Sequence, residues 1–165
     1  MRASVQANSL YPDRRSSCRR VSILCALLLS SCNGDAPRNI APEFFPMLGS
    51  RSLPFSEAVQ VGDMLYLSGQ LGTDSSGGLV PGGISAETRQ ALTNIADVLE
   101  RHESSLDQVV KCTVMLADIR EWGAMNEVYV TFFRSHPPAR SAFGTNGLAL
   151  GARIELECMA VRKPS

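Results

Sequence analysis

The stretch R-I-E-L-E-C-M-A-V, from Arg153 to Val161, alternates its side chains as a β-strand does. From Ile154 onward every second residue is apolar and suits packing beneath a helix, whereas the intervening positions mix two glutamates with Met159 and Val161. A sheet face that is half charged and half apolar usually meets another protein subunit. This stretch therefore predicts a strand with one face on a core. It also predicts homo-oligomerisation through the other face, with Glu155 close to the interface.

Further strands are predicted upstream of this one. They run from Val59 to Asp63, from Met64 to Ser68, from Val109 to Leu116 and from Ser141 to Gly144. The first two form a hairpin about the Gly62-Asp63 turn. In the third, Val110 and every second residue after it are predicted to share one face of the sheet.

Two amphipathic helices are predicted between these strands. Ser85 is the expected N-cap of the first helix, with Glu87 favourably placed in its first turn. The second begins at the D-x-x-E pattern of Asp118 and Glu121. Its apolar stripe consists of Trp122, Met125, Tyr129 and Phe132 or Phe133. The order of strands and helices indicates an α/β fold of the α+β type, in which a single mixed sheet is covered by two helices.

Residues 1–31 have the layout of a lipoprotein-type signal peptide. Two pairs of arginines precede an apolar run from Val21 to Leu29, which is too short to cross a bilayer because a span takes about 20 residues. The run ends in L-S-S-C, which resembles a bacterial lipobox and implies cleavage before Cys32 and a lipid chain on its thiol. The protein is then a lipoprotein of the cell envelope that faces the periplasm. The alternative is that the start of translation is misassigned. Met1 to about Ser50 would then be untranslated or disordered, and the protein would be cytoplasmic.

One folded domain is predicted after the signal. Residues 32–51 comprise the lipidated cysteine and a flexible tether rich in proline, glycine and asparagine. Residues 52–165 form the domain, which is long enough for one core but not for two. From Asn33 onward the chain has 11 basic and 15 acidic residues, a net charge of about −4. An acidic domain is a poor partner for a phosphate backbone, so no nucleic-acid partner is expected.

The two cysteines of this domain are Cys112 and Cys158, and both have apolar neighbours in the sequence. Neither has a cysteine or histidine at the spacing of a metal site, so no metal is expected. Buried thiols are the expected state. A disulfide between them in an oxidising compartment remains an alternative, because sequence alone cannot show that the two residues touch.

Two charged residues are the candidates for chemistry. Arg140, in P-P-A-R-S from Pro137 to Ser141, offers a planar and permanently charged fork of donors for a carboxylate. Glu155 offers an acid–base group. If they meet in a cleft, they can hold and hydrate a small acidic substrate. A lone arginine and a lone glutamate are more often solvated surface charges, so the surrounding motifs decide between the two interpretations.

Those motifs resemble one family. From about Pro54 to Arg162 the chain contains, in order, P-F-S-E-A-V-Q-V-G-D-M-L-Y-L-S-G-Q-L-G, M-N-E-V-Y-V-T-F-F, P-P-A-R-S and I-E-L-E-C-M-A-V. The series is similar to the reactive intermediate deaminase family, also called RidA or YjgF. The resemblance implies a chorismate mutase-like fold and a homotrimer with one site in each cleft between subunits. It also implies hydrolytic deamination of enamines and imines such as 2-aminoacrylate and 2-iminobutyrate. The products are 2-oxo acids and ammonia, and neither metal nor cofactor is needed.

The resemblance also implies roles for individual residues. Arg140 matches the arginine that binds the substrate carboxylate, and Glu155 matches the glutamate that positions the attacking water. Ser68 in L-S-G-Q and Asn126 in M-N-E-V-Y match polar positions of the pocket, and Gly69 is assigned to the substrate-binding set with them. Two alternatives stay open, namely that Ser68 only closes its strand and that Asn126 is a structural amide.

Two positions depart from the better-known family pattern. Phe55 stands where many members carry tyrosine, and Ala142 stands where many carry cysteine. Both are assigned to the substrate-binding set, and both changes bear on which substrate is used.

The alternative function is a non-catalytic trimer that binds small carboxylates or partner proteins through the same clefts. His102 and His136 have no partner at ligand spacing and are expected to be exposed rather than catalytic.

Overall fold

The computed structural model describes residues 41–48 and 53–162, so the predicted signal peptide (residues 1–31) and Cys32 lie outside the described residues. The strands are β1 (Glu43–Pro46), β2 (Ser56–Val61), β3 (Met64–Leu67), β4 (Gln70–Leu71), β5 (Val109–Leu116), β6 (Ala139–Gly144) and β7 (Ile154–Val161). The helices are α1 (Gly83–Arg101) and α2 (Trp122–Phe132), with short 3-10 turns at Leu106–Gln108, Ile119–Glu121 and Ala149–Gly151. Within the described part of the chain, no helix is long and apolar enough to cross a membrane.

All described strands belong to one mixed sheet. Its order is β1-β2-β3-β7-β5-β6, and the short β4 also pairs with β7. β5 and β6 are parallel and α2 forms the crossover between them, whereas the other pairs are antiparallel. The two helices pack against each other and share one core with the sheet. This arrangement confirms the predicted α+β fold with a single mixed sheet covered by two helices.

β7 lies in the interior of the sheet and alternates as predicted. Its even-numbered residues are buried beneath the helices, and its odd-numbered residues are partly exposed. By strand register, the odd-numbered side of β7 continues across β5 and β6. We call this second side of the sheet the open face. Its members on these three strands include Lys111, Thr113, Met115, Ser141, Phe143, Glu155, Glu157 and Met159.

The first residues of β5 do not follow the predicted alternation. The pairing with β7 shifts register between Val109 and Lys111, as at a β-bulge. Val109 is therefore buried and Val110 is 44% exposed, whereas the even-numbered residues from Cys112 onward are buried as predicted. A bulge inserts one extra residue into a strand, so the side chains before the bulge point to the opposite side of the sheet from the one that strict alternation predicts.

α1 begins earlier than predicted. Its first residue is Gly83 and its N-cap is Gly82, with no side-chain cap, so the expected cap Ser85 lies inside the helix. Gly82 and Gly83 have φ values of 117° and 70°, which glycine adopts without a steric penalty. The backbone therefore turns into the helix before it reaches Ser85. Glu87 is not a first-turn residue but is buried, and its carboxylate accepts the Arg153 N–H at 2.8 Å.

The D-x-x-E pattern begins a 3-10 turn that leads directly into α2, and α2 itself begins at Trp122. Asp118 caps the short turn at Ile119–Glu121 that leads into the helix, with its carboxylate accepting a backbone N–H at 2.9 Å. The buried members of the predicted stripe are Met125, Tyr129 and Phe133. Trp122 is 42% exposed, because it lies at the first turn, where the helix reaches the edge of the sheet.

The segment predicted as a tether contains a strand. β1 pairs with β2, and Phe45 stacks on His102 with the ring centroids 4.2 Å apart. On its other side His102 contacts the Glu57 carboxylate at 3.1 Å, and Arg101 contacts the same carboxylate at 2.5 Å. Glu57 is buried, and a buried carboxylate requires such partners. His102 is therefore not exposed as expected but is partly buried beside the Glu57 carboxylate, whereas His136 is exposed as expected.

Cys112 and Cys158, for which buried thiols are the expected state, are joined by a disulfide bond. They lie opposite each other in the antiparallel pair of β5 and β7, and both are buried. The two residues are 46 positions apart in the sequence. Strand register makes them neighbours, and no local pattern in the sequence carries that information.

Candidate active site

Arg140 lies on the edge strand β6, in register with Cys112 and on the helix-covered side of the sheet. Its guanidinium carbon is 4.5 Å from the ring centroid of Tyr129 and 5.6 Å from that of Trp122. Both distances lie within the range of a cation–π interaction. Among the described residues, no acidic side chain forms an ion pair with Arg140. Two aromatic faces, rather than a carboxylate, therefore surround this cation.

Tyr129 is the more deeply buried of the two aromatic residues. Its side chain is 4% exposed, and its ring also packs on Phe133 with the centroids 4.8 Å apart. Its hydroxyl is buried and has no hydrogen-bond partner in the described structure. Burial raises the pKa of Tyr129 to about 12, although the nearby charge of Arg140 acts in the opposite direction. The hydroxyl is therefore protonated at neutral pH.

Two other predicted site residues lie on the same side of the sheet as Arg140. Asn126 lies between Trp122 and Tyr129 on one face of α2, because residues three and four apart along a helix are neighbours. Ala142 follows Arg140 by two positions on β6, points the same way and packs against the core. We call these five residues the arginine half-site. The sequence pattern assigns its two aromatic members to the core stripe alone.

Glu155 lies on the open face, in register with Met115 of β5 and Leu71 of β4. Its carboxylate packs directly on the backbone of Gly69, and a Cβ atom at that position would overlap the Oε1 atom of Glu155. The carboxylate can occupy this place because Gly69 has no side chain. The structure thus brings together two of the residues that the sequence assigns to the site.

Ser68 precedes Gly69 and has defined hydrogen bonds. Its hydroxyl donates to the Ser56 carbonyl at 2.6 Å, and its N–H donates to the Glu57 carbonyl at 3.0 Å. These bonds hold the turn between β3 and β4, which favours the strand-closing role of Ser68. Phe55 lies next to this turn, one residue before β2, and its side chain is 51% exposed. We call Ser68, Gly69 and Glu155 the glutamate half-site.

The two half-sites do not meet within one protomer. Arg140 is in register with Cys112, and Cys112 with Cys158, whereas Glu155 lies three residues from Cys158 along β7. Strands rise about 3.3 Å per residue and lie about 4.8 Å apart. Three residues along β7 and two strand spacings from β7 to β6 therefore separate the two α-carbons by roughly 10 Å along the strands and roughly 10 Å across them. Their side chains also project from opposite faces of the sheet. A substrate that contacts both side chains would therefore require two protomers.

Comparisons with known proteins identify the family of this chain. Residues 50–162 match the family model described as endoribonuclease L-PSP. Mouse 2-iminobutanoate/2-iminopropanoate deaminase is 46% identical over 112 residues, which cover 67% of this chain and 83% of the mouse protein. The chain belongs to this family.

Solved structures of the RidA/YjgF family share the fold. RidA from an Antarctic Psychrobacter bacterium superposes with a TM-score of 0.64 at 33% identity, covering 75% of this chain and 98% of its own. The YjgF gene product of E. coli gives a TM-score of 0.63 at 31% identity, covering 73% of this chain and 94% of its own. The fold of this RidA/YjgF family member is thus the chorismate mutase-like fold that the resemblance implies.

The open face of this RidA/YjgF family member also contains a shallow depression that the sequence analysis does not anticipate. It has a volume of about 90 Å³, and its lining includes Tyr66, Lys111, Thr113, Glu157 and Met159. The ammonium group of Lys111 donates to the Ser141 hydroxyl at 2.7 Å. The strand alternation that places Glu155 on this face places these residues there too.

Proposed function

We propose that this protein hydrolyses small 2-imino and 2-enamino acids, of the 2-iminobutyrate and 2-aminoacrylate type, to 2-oxo acids and ammonia. The observation that carries the proposal is the Arg140 guanidinium, held on two aromatic rings with no acidic partner in the described chain. Such a group is suited to two parallel hydrogen bonds with a ligand carboxylate. The name of the mouse relative, a deaminase of 2-imino acids, supports the same substrate class.

We propose a homotrimer in which each cleft joins the arginine half-site of one protomer to the glutamate half-site of the next. A cyclic trimer is a closed assembly in which one surface of each protomer meets a different surface of its neighbour. The open face is suited to such a contact, since Tyr66 and Phe143 are 41% and 46% exposed there. This arrangement would bring Arg140 and Glu155 to one substrate from opposite sides.

The proposed reaction consumes one water. Arg140 holds the substrate carboxylate, and the Asn126 amide lies beside it. Glu155 accepts a proton from the water as the water oxygen bonds to the imine carbon. It delivers that proton to the nitrogen, which gives a carbon bearing one hydroxyl and one amino group. Glu155 then transfers the remaining hydroxyl proton to the amino nitrogen, the C–N bond breaks as the C=O bond forms, and ammonia leaves. An enamine substrate first takes a proton at its terminal carbon and loses one from its nitrogen, and so becomes the imine. No step requires a metal or a cofactor.

Gly69→Ala is expected to lower kcat by about 10- to 100-fold, because a displacement of one ångström in a catalytic group has effects of that size. The new methyl group would occupy the position of the Glu155 carboxylate and push it away from the water. KM should change little, because the arginine half-site is untouched. Steady-state loss of imine measures both constants.

The matched control for this substitution is Gly78→Ala, where an added Cβ meets only the Ser76 hydroxyl at 3.5 Å. This variant should keep the kinetics of the wild type. If Gly69→Ala also keeps the wild-type kcat, the position of the Glu155 carboxylate has no part in the reaction.

The activity itself is tested by generating 2-iminobutyrate in situ and following its loss with and without the purified protein. We expect loss of the imine to be faster than in buffer, with 2-oxobutyrate and ammonia formed in equal amounts. No acceleration over buffer for either 2-iminobutyrate or 2-aminoacrylate would reject the proposed reaction and favour the non-catalytic trimer.

The shared cleft is tested by co-expressing Arg140→Ala and Glu155→Ala protomers. Each variant alone should be inactive, whereas the mixture should recover about one quarter of the wild-type activity, because random trimers join an intact arginine to an intact glutamate in that fraction of clefts. Co-expression of Arg140→Ala with the double variant is the control and should recover nothing. Light scattering should give the mass of a trimer. A mixture as inactive as its components contradicts a cleft shared between protomers.

We also propose that the protein is a lipoprotein of the cell envelope, anchored through Cys32 and facing the periplasm. The signal layout of residues 1–31 supports this location, and so does the disulfide between Cys112 and Cys158, since disulfides persist in oxidising compartments. Cys32→Ala should abolish globomycin-sensitive processing and release the protein from the membrane fraction. Wild-type protein that fractionates with the cytoplasm and keeps its full mass would indicate the misassigned start.

A further inference from the structure

We propose that Trp122 and Tyr129 are positioning residues, which hold the guanidinium of Arg140 in one orientation and keep its charge available to a substrate carboxylate. The inference rests on the proposed function, because it assumes that Arg140 binds that carboxylate. It assigns a role in substrate binding to two aromatic residues that the sequence pattern places in a core stripe.

The helix supplies the spacing that this role requires. Trp122 and Tyr129 are seven residues apart on α2, which is two turns, so their side chains project from the same face of the helix. The Arg140 guanidinium carbon lies 5.6 Å from the first ring centroid and 4.5 Å from the second. One guanidinium is therefore within the range of a cation–π interaction with both rings at once.

The two rings differ in depth. Tyr129 is 4% exposed and packs on Phe133, so its position is determined by the core. Trp122 is 42% exposed and forms the outer wall beside Arg140. The inner ring therefore sets where the guanidinium lies, whereas the outer ring borders the space from which a ligand would approach.

Aromatic rings have an advantage over a carboxylate in this place. A glutamate or aspartate would also orient Arg140, but it would neutralise the charge and occupy the donors that a substrate needs. The face of an aromatic ring attracts the cation through its quadrupole and takes none of the five N–H donors. No acidic side chain of the described residues pairs with Arg140, which agrees with this design.

The ring of Tyr129, and not its hydroxyl, has this function. The hydroxyl is buried without a hydrogen-bond partner in the described structure, and it is not available to a ligand in solvent. An unpaired buried hydroxyl destabilises a protein rather than stabilising it. Phenylalanine retains the aromatic face and removes the unpaired group, so it is the conservative replacement at this position.

The kinetic test compares aromatic with aliphatic replacements. Tyr129→Leu and Trp122→Leu should each raise KM for 2-iminobutyrate by about 3- to 30-fold with kcat changed by less than about twofold, because the loss is one of binding. Tyr129→Phe and Trp122→Phe should have KM values within about threefold of the wild type, since each keeps an aromatic face.

Phe133→Leu is the matched control. Phe133 packs on the ring of Tyr129 within the same core, so its replacement should lower the unfolding midpoint as Tyr129→Leu does. It makes no ring contact with Arg140, and leucine keeps the core apolar behind Tyr129, so the rise in KM should be well below that of Tyr129→Leu. If Trp122→Leu and Tyr129→Leu both have the same KM as the wild type, the proposal is overturned. A rise in KM with Phe133→Leu as large as that with Tyr129→Leu would also overturn it, because the effect would then follow general core damage.

A second test does not depend on catalysis. Trp122 is the single tryptophan of the chain, so its fluorescence reports directly on the surroundings of Arg140. Titration of the wild type with 2-oxobutyrate, the product, should change the fluorescence in a saturable way, and Arg140→Ala should abolish the change. Tyr129→Leu should move the midpoint to a concentration about 3- to 30-fold higher, and Tyr129→Phe should not move it.

The two readouts separate this inference from the proposed function. Wild-type protein that binds 2-oxobutyrate, shows the Tyr129→Leu shift and does not accelerate imine loss would reject the deaminase and retain the positioning role. Wild-type protein that deaminates but has the same midpoint in Tyr129→Leu would retain the deaminase and reject the positioning role. A wild-type fluorescence that does not respond to 2-oxobutyrate rejects carboxylate binding at Arg140 and the positioning role with it.

Discussion

Arg140→Ala should lower kcat/KM for 2-iminobutyrate by about 10²- to 10⁴-fold, because two charge-assisted hydrogen bonds to the carboxylate contribute about 1.5–3 kcal/mol each. Arg140→Lys keeps the charge but loses the planar fork, so we expect a loss of about 10- to 100-fold. Steady-state assays on the purified variants measure both effects. The ordering of wild type, lysine and alanine is as informative as the size of each loss.

Arg134→Ala is the matched control for these variants. Arg134 is an exposed arginine whose Nε donates to the Thr131 carbonyl, and it makes no contact with the aromatic pair. Its replacement should leave kcat/KM within about twofold of the wild type, as surface substitutions usually do. Arg140→Ala protein that is folded, trimeric and fully active would show that the substrate carboxylate binds elsewhere.

Glu155→Gln should lower kcat by about 10²- to 10⁴-fold while KM stays within about threefold, because general acid–base groups contribute factors of this size. Glutamine has nearly the same shape as glutamate, so it can still rest on Gly69, but it cannot accept a proton from water. The variant should therefore still bind 2-oxobutyrate with the wild-type midpoint in the tryptophan fluorescence titration.

Glu157→Gln provides the comparison on the same face. Glu157 lies two residues from Glu155 on β7 and lines the shallow depression rather than the glutamate half-site. We expect its replacement to change kcat by less than about fivefold, as for a surface position with no role in proton transfer. Equal losses in the two variants would mean that the charge of the open face, and not one carboxylate, supports the reaction.

Much of the fold follows from local patterns. The alternation in β7 predicts which of its residues are buried, because side chains on a strand point to opposite faces with a period of two. The D-x-x-E pattern at Asp118 marks the turn that leads into the second helix, because a side-chain oxygen there can satisfy a free N–H. Both features depend only on residues adjacent in the sequence.

Other features depend on contacts between distant segments, and local patterns in the sequence do not indicate them for that reason. Val110 turns outward because β5 has a bulge against β7. Phe45 is part of a strand because β1 packs on β2 and on His102. Cys112 and Cys158 are paired because two strands 46 residues apart in the chain lie side by side.

The candidate site shows the same division. The resemblance of the motifs to the family identifies Arg140, Glu155, Gly69 and Asn126 as candidate site residues. Spacing does not show that Gly69 and Glu155 touch, or that Tyr129 lies against Arg140. These contacts cross from one strand or helix to another, and they depend on tertiary packing.

The amino-acid order alone is sufficient for the family, the α+β class and the chemical type of each candidate residue, because these depend on local periodicity and on motifs. The folded chain decides where those residues lie. Arg140 faces the helices and Glu155 faces the open side, at positions about 10 Å apart along the strands. Strand register and the two-sidedness of a sheet set that separation, and neither is a property of a single segment.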